Sequence, residues 1–88
     1  MTKTTAAPTS QTIALAYPID HDGQTVDKLT MRAPRTRDML AADKAKDSER
    51  DSEILMFANL TEQEPAFIEA LYLKDYQRLQ QAFQAFLS

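Results

Sequence analysis

The residues of this chain that could bind a metal ion lie in one acidic turn. Asp20, Asp22 and Gly23 have the spacing of the third, fifth and sixth positions of an EF-hand calcium loop. The first and twelfth positions would then fall on Pro18 and Leu29, neither of which supplies the carboxylate that calcium requires. Asp-Gly is also a strong signal for a tight hairpin turn. We therefore predict a structural turn that binds no metal ion.

His21, the single histidine, is the side chain best suited to act as a general base near neutral pH. Such a base needs an orienting group and a substrate pocket, but His21 has only turn carboxylates beside it. We expect an exposed turn histidine. The chain has no cysteine and one glycine, which excludes thiol catalysis and glycine-rich phosphate loops. The sequence predicts neither a catalytic residue nor a cofactor site.

Two clusters of charged side chains remain as candidates. Five carboxylates lie within residues 43–53, where they alternate with basic residues as on a solvated surface. Arg32, Arg35 and Arg37 form the basic cluster, which could hold a phosphate or an acidic partner, or could pair with carboxylates of the same domain. We favour solvated surface charges for the first cluster and intramolecular or surface pairing for the second.

The elements that must position these residues begin with a β-hairpin, predicted over residues 11–33. Residues 1–10 before it are polar and are predicted to form a flexible tail. Apolar residues alternate along the first strand, which predicts that they share one face: Ile13, Leu15, Tyr17 and Ile19. The adjacent Pro18 favours an edge strand, because proline cannot donate to a β-ladder.

The return strand of the hairpin alternates as well, with Leu29, Met31 and Ala33 on one face. Val26 is out of phase with that set, so it either lies on the opposite face or marks a β-bulge near the turn. Gly23 is expected to have a positive φ.

The rest of the chain is predicted to be helical, with three to four α-helices. Their approximate ranges are 36–46, 48–60, 65–71 and 74–87. The second begins with an S-x-x-D capping box at Ser48 and should be the most buried element, with Phe57 in the core. The predicted fold class is therefore α+β, a single small domain in which an N-terminal hairpin packs against helices.

The last helix carries the most pronounced apolar pattern, a narrow seam with a widened end: Tyr76, Leu79, Phe83, Phe86 and Leu87. Such a seam can belong to the core or can bind a partner helix. We expect Tyr76 and Leu79 to serve the core. The outer residues Phe83, Phe86 and Leu87 are the candidates for binding a partner or a second copy of the chain.

Charge and hydropathy narrow the function classes. The net charge is −3, and residues 38–88 are acidic whereas residues 1–37 are mildly basic. This balance argues against bulk nucleic-acid binding, although a small DNA-binding regulator that uses the arginine cluster stays open as the alternative. No apolar run approaches the ~20 residues that span a bilayer, and the N-terminus lacks the apolar centre of a signal peptide, so we expect a cytoplasmic protein.

Three segments in order resemble the phage tail assembly chaperone family, the small tail protein E of Mu-like and related contractile-tailed phages and prophages. The first is the Asp-Gly hairpin that leads into LTMRAP and RDMLAADK, residues 29–44. The second is FANLT, residues 57–61. The third is the L-x-L-x-D-Y-x-x-L start of the last helix, residues 71–79, which closes in FL. The resemblance covers about residues 12–87.

This resemblance implies a non-enzymatic chaperone in the cytoplasm of a bacterial host. Members of such families act while the tail is built and bind the long tape-measure protein. The resemblance also implies self-association and a longer form made by translational frameshift, and the apolar end at Leu87 would fit such a junction. It implies no catalytic residue, cofactor, nucleic acid or membrane. An exposed apolar face on each copy would cover the aggregation-prone surface of the unassembled partner.

Overall fold

The computed structural model describes residues 9–45 and 48–88. Two strands form an antiparallel hairpin, and four helices follow in one small domain, which confirms the predicted α+β class. The elements are β1 (Ser10–His21), β2 (Gln24–Arg32), α1 (Thr36–Ala45), α2 (Glu49–Thr61), α3 (Pro65–Ala70) and α4 (Leu73–Leu87). No helix in the described ranges is long and apolar enough to cross a membrane.

The open end of the hairpin lies earlier in the chain than predicted. Most of the predicted tail, residues 1–8, lies outside the described residues. Ser10 already belongs to β1 and pairs with Arg32, and the backbone N–H of Ala33 donates to the carbonyl of Thr9 at 2.8 Å. The last part of the predicted tail is therefore a hydrogen-bonded strand.

The hairpin turn has the geometry that its Asp-Gly sequence predicts. His21 pairs with Gln24, and the two residues between them have positive φ, 51° at Asp22 and 77° at Gly23. Two positive φ angles define a type I′ turn, whose twist suits the flanking strands. The positive φ expected at Gly23 is confirmed. Within the described ranges, no group of three or more His, Cys, Asp or Glu side chains could hold a metal ion.

The β1 strand carries a wide bulge. Ala14 pairs with Lys28 and Ile19 pairs with Val26, so four residues of β1 lie opposite one residue of β2. The predicted bulge is thus in β1, on the strand opposite Val26. Val26 itself packs against the core. The prediction that Tyr17 shares the buried face was wrong. Its side chain is about half exposed, because the bulge interrupts the alternation that the sequence pattern assumed.

The core lies between one face of the hairpin and helices α2, α3 and α4. Its largest fully buried apolar side chains include Met31, Phe57, Leu60, Phe67, Ile68 and Leu79. The core position predicted for Phe57 is confirmed. Helix α2 begins with the predicted cap, because the Ser48 hydroxyl accepts a hydrogen bond from the backbone N–H of Asp51 at 3.1 Å. Helix α1 contributes less to the core, because its large apolar side chains Met39 and Leu40 are about half exposed. Among the side chains of this helix that the structure describes, the small Ala42 is the only buried apolar one.

Candidate functional site

The carboxylate of Asp75 in α4 is fully buried and binds the backbone of the β1 bulge. It accepts hydrogen bonds from the backbone N–H groups of Ala16 at 2.7 Å and Tyr17 at 3.0 Å. The bulge leaves residues 15–18 without partners on β2. A charged acceptor on the neighbouring helix therefore supplies hydrogen bonds that the β-ladder cannot.

Two further side chains align α4 along β1. The Arg78 guanidinium donates to the carbonyl of Ala14 at 2.7 Å, and the Gln11 amide donates to the carbonyl of Ala82 at 3.1 Å. Together with Asp75, these contacts extend over two turns of α4. They fix both the position and the rotation of the helix, and so determine which of its side chains face solvent.

A second polar cluster joins α4 to α2. The Tyr76 hydroxyl donates to Glu53 Oε1, and the Gln80 amide donates to the same oxygen at 3.0 Å. Arg50 lies 3.8 Å from Glu53 and 6.0 Å from the centre of the Tyr76 ring. Burial of the Tyr76 hydroxyl and its hydrogen bond to Glu53 raise the pKa of Tyr76 to about 12. Tyr76 therefore stays protonated at neutral pH and acts as a structural hydrogen-bond donor.

His21 is not the exposed turn histidine that we expected. Its side chain is mostly buried, and its ring lies edge-on against Phe67 of α3 with 5.1 Å between the ring centres. Its Nε2 atom lies 3.4 Å from the carboxylate of Asp22 and 4.0 Å from that of Glu64, both of which are exposed. The ring attaches the tip of the hairpin to α3, a role that its neighbours in sequence do not reveal.

The arginine cluster is divided between two roles. Arg32 donates two parallel hydrogen bonds to the carboxylate of Asp38, at 2.7 and 2.9 Å. That carboxylate also accepts from the backbone N–H of Arg35 at 2.8 Å. The bonds from Arg32 hold the pKa of Asp38 below its usual range. Arg35 and Arg37 are exposed. The intramolecular pairing that we favoured is therefore present for Arg32.

Arg32→Gln is expected to lower the free energy of unfolding by roughly 1–3 kcal/mol at neutral pH, with solvent around the guanidinium keeping the loss towards the lower end. Asp38 would then keep a buried carboxylate with one remaining backbone partner. Because its pKa is lowered in the folded state, this stabilisation is present above the usual aspartate pKa and is lost as the pH falls through the lowered value. Urea denaturation over an acid-to-neutral pH series measures the difference.

The exposed Arg35→Gln is the matched control and should unfold like the wild type. If the difference in unfolding free energy between Arg32→Gln and the wild type stays constant down to acidic pH, the role given to the ion pair is contradicted.

The predicted partner-binding seam is divided by the packing of α4. Tyr76 and Leu79 are buried in the domain, as is Ala82 between them and the helix end. Phe83 and Phe86 are partly buried and pack against the core, and the Phe83 ring lies 5.7 Å from that of Phe57. Leu87 is 60% exposed. Of the five seam residues, only the outer three leave apolar surface exposed to solvent.

Other exposed apolar side chains lie outside this seam. Tyr17 of the bulge and Tyr72 before α4 are about half exposed and stack with 4.6 Å between ring centres. Leu73, the first residue of α4, is 69% exposed, more than any other large apolar side chain in the described ranges. The sequence pattern did not single out these residues, because Leu73 lies outside the seam and Tyr17 was assigned to the core.

The family of this chain follows from one comparison with known proteins. A family model described as phage tail assembly chaperone proteins, E, or 41 or 14, matches residues 12–88. No curated protein and no solved structure gives a significant match. The matched range begins at the third residue of β1 and extends past the end of α4, so it contains all of the other elements and most of β1. The chain belongs to the phage tail assembly chaperone family.

Proposed function

We propose that this protein is a non-enzymatic chaperone that binds the tape-measure protein in the host cytoplasm while the phage tail is built. The supporting observation is the end of α4. Phe83 and Phe86 pack only partly against the core, and Leu87 extends from them into solvent. A contiguous apolar surface of this kind is typical of a binding site for another protein.

The chemistry of this surface suits a helical partner. Residues 79–87 carry no charged side chain, so a partner can cover the side chains of the last turns of α4 without burying one. A tape-measure protein is a long chain with apolar helical patterning. An amphipathic segment of it could lay its apolar residues against Phe83, Phe86 and Leu87. No comparable observation favours DNA binding, because Arg32, the least exposed residue of the arginine cluster, is bonded to Asp38.

Leu87→Asp is expected to weaken capture of the tape-measure protein at least tenfold, because it places a carboxylate within an apolar contact. The tape-measure protein of the same tail is co-expressed with the wild type or with the variant, and its soluble fraction is measured. Leu87 is exposed, so the melting temperature of the variant should not change.

Leu40→Asp, on the half-exposed face of α1, is the matched control and should keep the partner soluble. Phe86→Asp tests the inner part of the surface, with circular dichroism to establish that the variant folds. If folded Leu87→Asp and Phe86→Asp both maintain the soluble fraction, the end of α4 is not the working surface.

A further inference from the structure

We infer, resting on the proposed function, that the segment captured by this chain carries carboxylates beside its apolar residues and that Arg35 and Arg37 bind them. Both arginines line an open cleft of about 780 Å³ between the open end of the hairpin and the first turn of α1. Thr9, Arg32 and Asp38 belong to the same lining, and we call this site the arginine cleft. A partner segment is then recognised by charge as well as by apolar contact.

The arginine cleft keeps an excess of positive charge after its internal ion pair is counted. Its lining has three arginines and one carboxylate, and Arg32 binds that carboxylate, Asp38, with two parallel hydrogen bonds. Glu62 adds to the attraction on Arg32. Arg35 and Arg37 are exposed, and neither forms an ion pair with another described residue. Two guanidinium groups are thus left to bind an anion.

The fold positions these two arginines before a partner arrives. The carboxylate of Asp38 accepts from the backbone N–H of Arg35 at 2.8 Å, and the backbone N–H of Asp38 donates to the carbonyl of Arg35 at 2.9 Å. These reciprocal bonds fix the chain from Arg35 to Asp38 and so position Arg37 as well. A guanidinium presents a planar fork of donors that matches a carboxylate, and a fixed backbone lowers the entropy lost on binding.

The arginine cleft lies at the same end of the domain as the apolar end of α4. The helix runs antiparallel to β1, because Asp75 binds the middle of the strand whereas Ala82, seven residues later, binds Gln11 near its start. Beyond that bond, five residues of helix to Leu87 rise about 7.5 Å, and two residues of strand to Thr9 span about 6.6 Å. Leu87 therefore lies at the level of the cleft.

One partner segment can reach both surfaces. Arg32 of the cleft is on β2, which lies one strand spacing, about 4.8 Å, from β1. A partner helix of four turns is about 22 Å long and can therefore contact the cleft and the end of α4 together. The last turn of α4 has no basic residue and is the negative end of the helix dipole, so it does not attract carboxylates. The acidic residues of the partner are thus expected on the side of the arginines.

Charge favours an acidic protein segment over a nucleic acid. Residues 38–88 are acidic as a whole, so a long polyanion lying across the cleft would also meet the carboxylates of the helices. A short acidic segment needs only Arg35 and Arg37. Exposed ion pairs of this kind are individually weak and are screened by salt, so they contribute selectivity and association rate more than affinity.

Two synthetic helical peptides with the same leucine face test the cleft on the purified full chain. One carries glutamates beside the leucines, and the other carries lysines at the same positions. The glutamate peptide should bind about tenfold more tightly in about 50 mM salt, measured by fluorescence anisotropy, and the preference should shrink in about 500 mM salt. The net charge of −3 alone would favour the lysine peptide, so a lysine preference would overturn the inference.

The double variant Arg35→Glu with Arg37→Glu should remove or reverse the preference for the glutamate peptide. Lys28→Glu with Lys74→Glu is the matched control, because both lysines are exposed outside the cleft and the change in net charge is the same. Circular dichroism establishes that each variant folds. If the arginine variant does not fold, Arg35→Gln with Arg37→Gln replaces it. An equal loss of preference in the control would show an effect of net charge and contradict the inference.

A single-stranded decathymidylate is the third probe, because it offers phosphates without an apolar face. It should bind the purified chain more weakly than the glutamate peptide does. If decathymidylate binds as tightly as that peptide, and the arginine double variant loses this binding, the cleft is a nucleic-acid site and the inference is wrong.

The same variants separate this inference from the proposed function. If Leu87→Asp prevents capture of the tape-measure protein and the arginine double variant does not, the proposed function stands and the inference is wrong. If the tape-measure protein is not captured but the glutamate peptide binds through Arg35 and Arg37, the cleft is a site for acidic segments and the proposed partner is wrong.

Discussion

Asp75→Ala is expected to lower the free energy of unfolding by about 3–5 kcal/mol, because it removes two hydrogen bonds to a buried carboxylate and each such bond contributes about 1.5–3 kcal/mol. The backbone N–H groups of Ala16 and Tyr17 would lose their acceptor at the bulge. Chemical denaturation followed by circular dichroism measures the loss. For a domain whose total stability is about 5–10 kcal/mol, the variant would be close to unfolding.

The isosteric Asp75→Asn separates charge from shape. The asparagine amide keeps one acceptor oxygen but turns an –NH₂ group towards a backbone N–H. The variant should therefore lose at least half of the unfolding free energy that Asp75→Ala loses. Asp27→Ala, an exposed position of β2 opposite the bulge, is the matched control and should change stability little. If Asp75→Ala melts like the wild type, the bulge does not need the carboxylate.

Phe57→Ala is expected to cost roughly 3–5 kcal/mol, because it opens a cavity at the centre of the core. The side chain is 1% exposed, and its ring lies 5.6 Å from that of Tyr76 and 5.7 Å from that of Phe83. The cavity would thus loosen the contact between α2 and α4 as well as remove buried surface. Thermal and urea denaturation should both show the loss.

Met39→Ala is the control for Phe57→Ala, because it removes a large apolar side chain from an exposed position on α1. It should leave the unfolding free energy nearly unchanged. A Phe57→Ala variant with the stability of the wild type would mean that the middle helix does not form the centre of the core.

The sequence pattern was sufficient for the elements whose signals are local. The type I′ turn follows from Asp-Gly, the start of α2 from its Ser48 cap, and the burial of Leu29, Met31 and Phe57 from their spacing. Each of these signals involves residues that are close in the chain. For this reason the α+β class and the order of elements could be predicted before the tertiary contacts were known.

The features that sequence reasoning missed depend on residues distant in the chain. The partner of the bulge, Asp75, is 58–59 residues away, and the partner of Tyr76, Glu53, is 23 residues away. Asp75 was noticed in a family-like motif, but nothing local showed that it would be buried. An acidic residue in the first turn of a helix is also what the helix dipole favours at the surface, so the local sequence did not distinguish a buried acceptor from a surface charge.

The apolar seam of α4 also combines a part that was predicted correctly with a part that was not. Helical periodicity identified Tyr76, Leu79, Phe83 and Phe86 as one face, but it could not determine how far along the helix the domain covers that face. The structure buries the first two and leaves Leu87 exposed. The exposure of Leu73 depends on the rotation of α4 set by β1, which periodicity alone does not define.

The bond between Asp75 and the β1 bulge has a consequence for the order in which the chain folds during synthesis. The two amides of the bulge emerge early from the ribosome, whereas their acceptor lies in α4, the last element. Until α4 is made, the nascent hairpin lacks the contact that fixes its register through residues 15–18. Folding of the hairpin is thereby coupled to completion of the helix. The contact between Asp75 and the bulge closes a long loop of chain, and contacts between residues so distant in sequence form slowly.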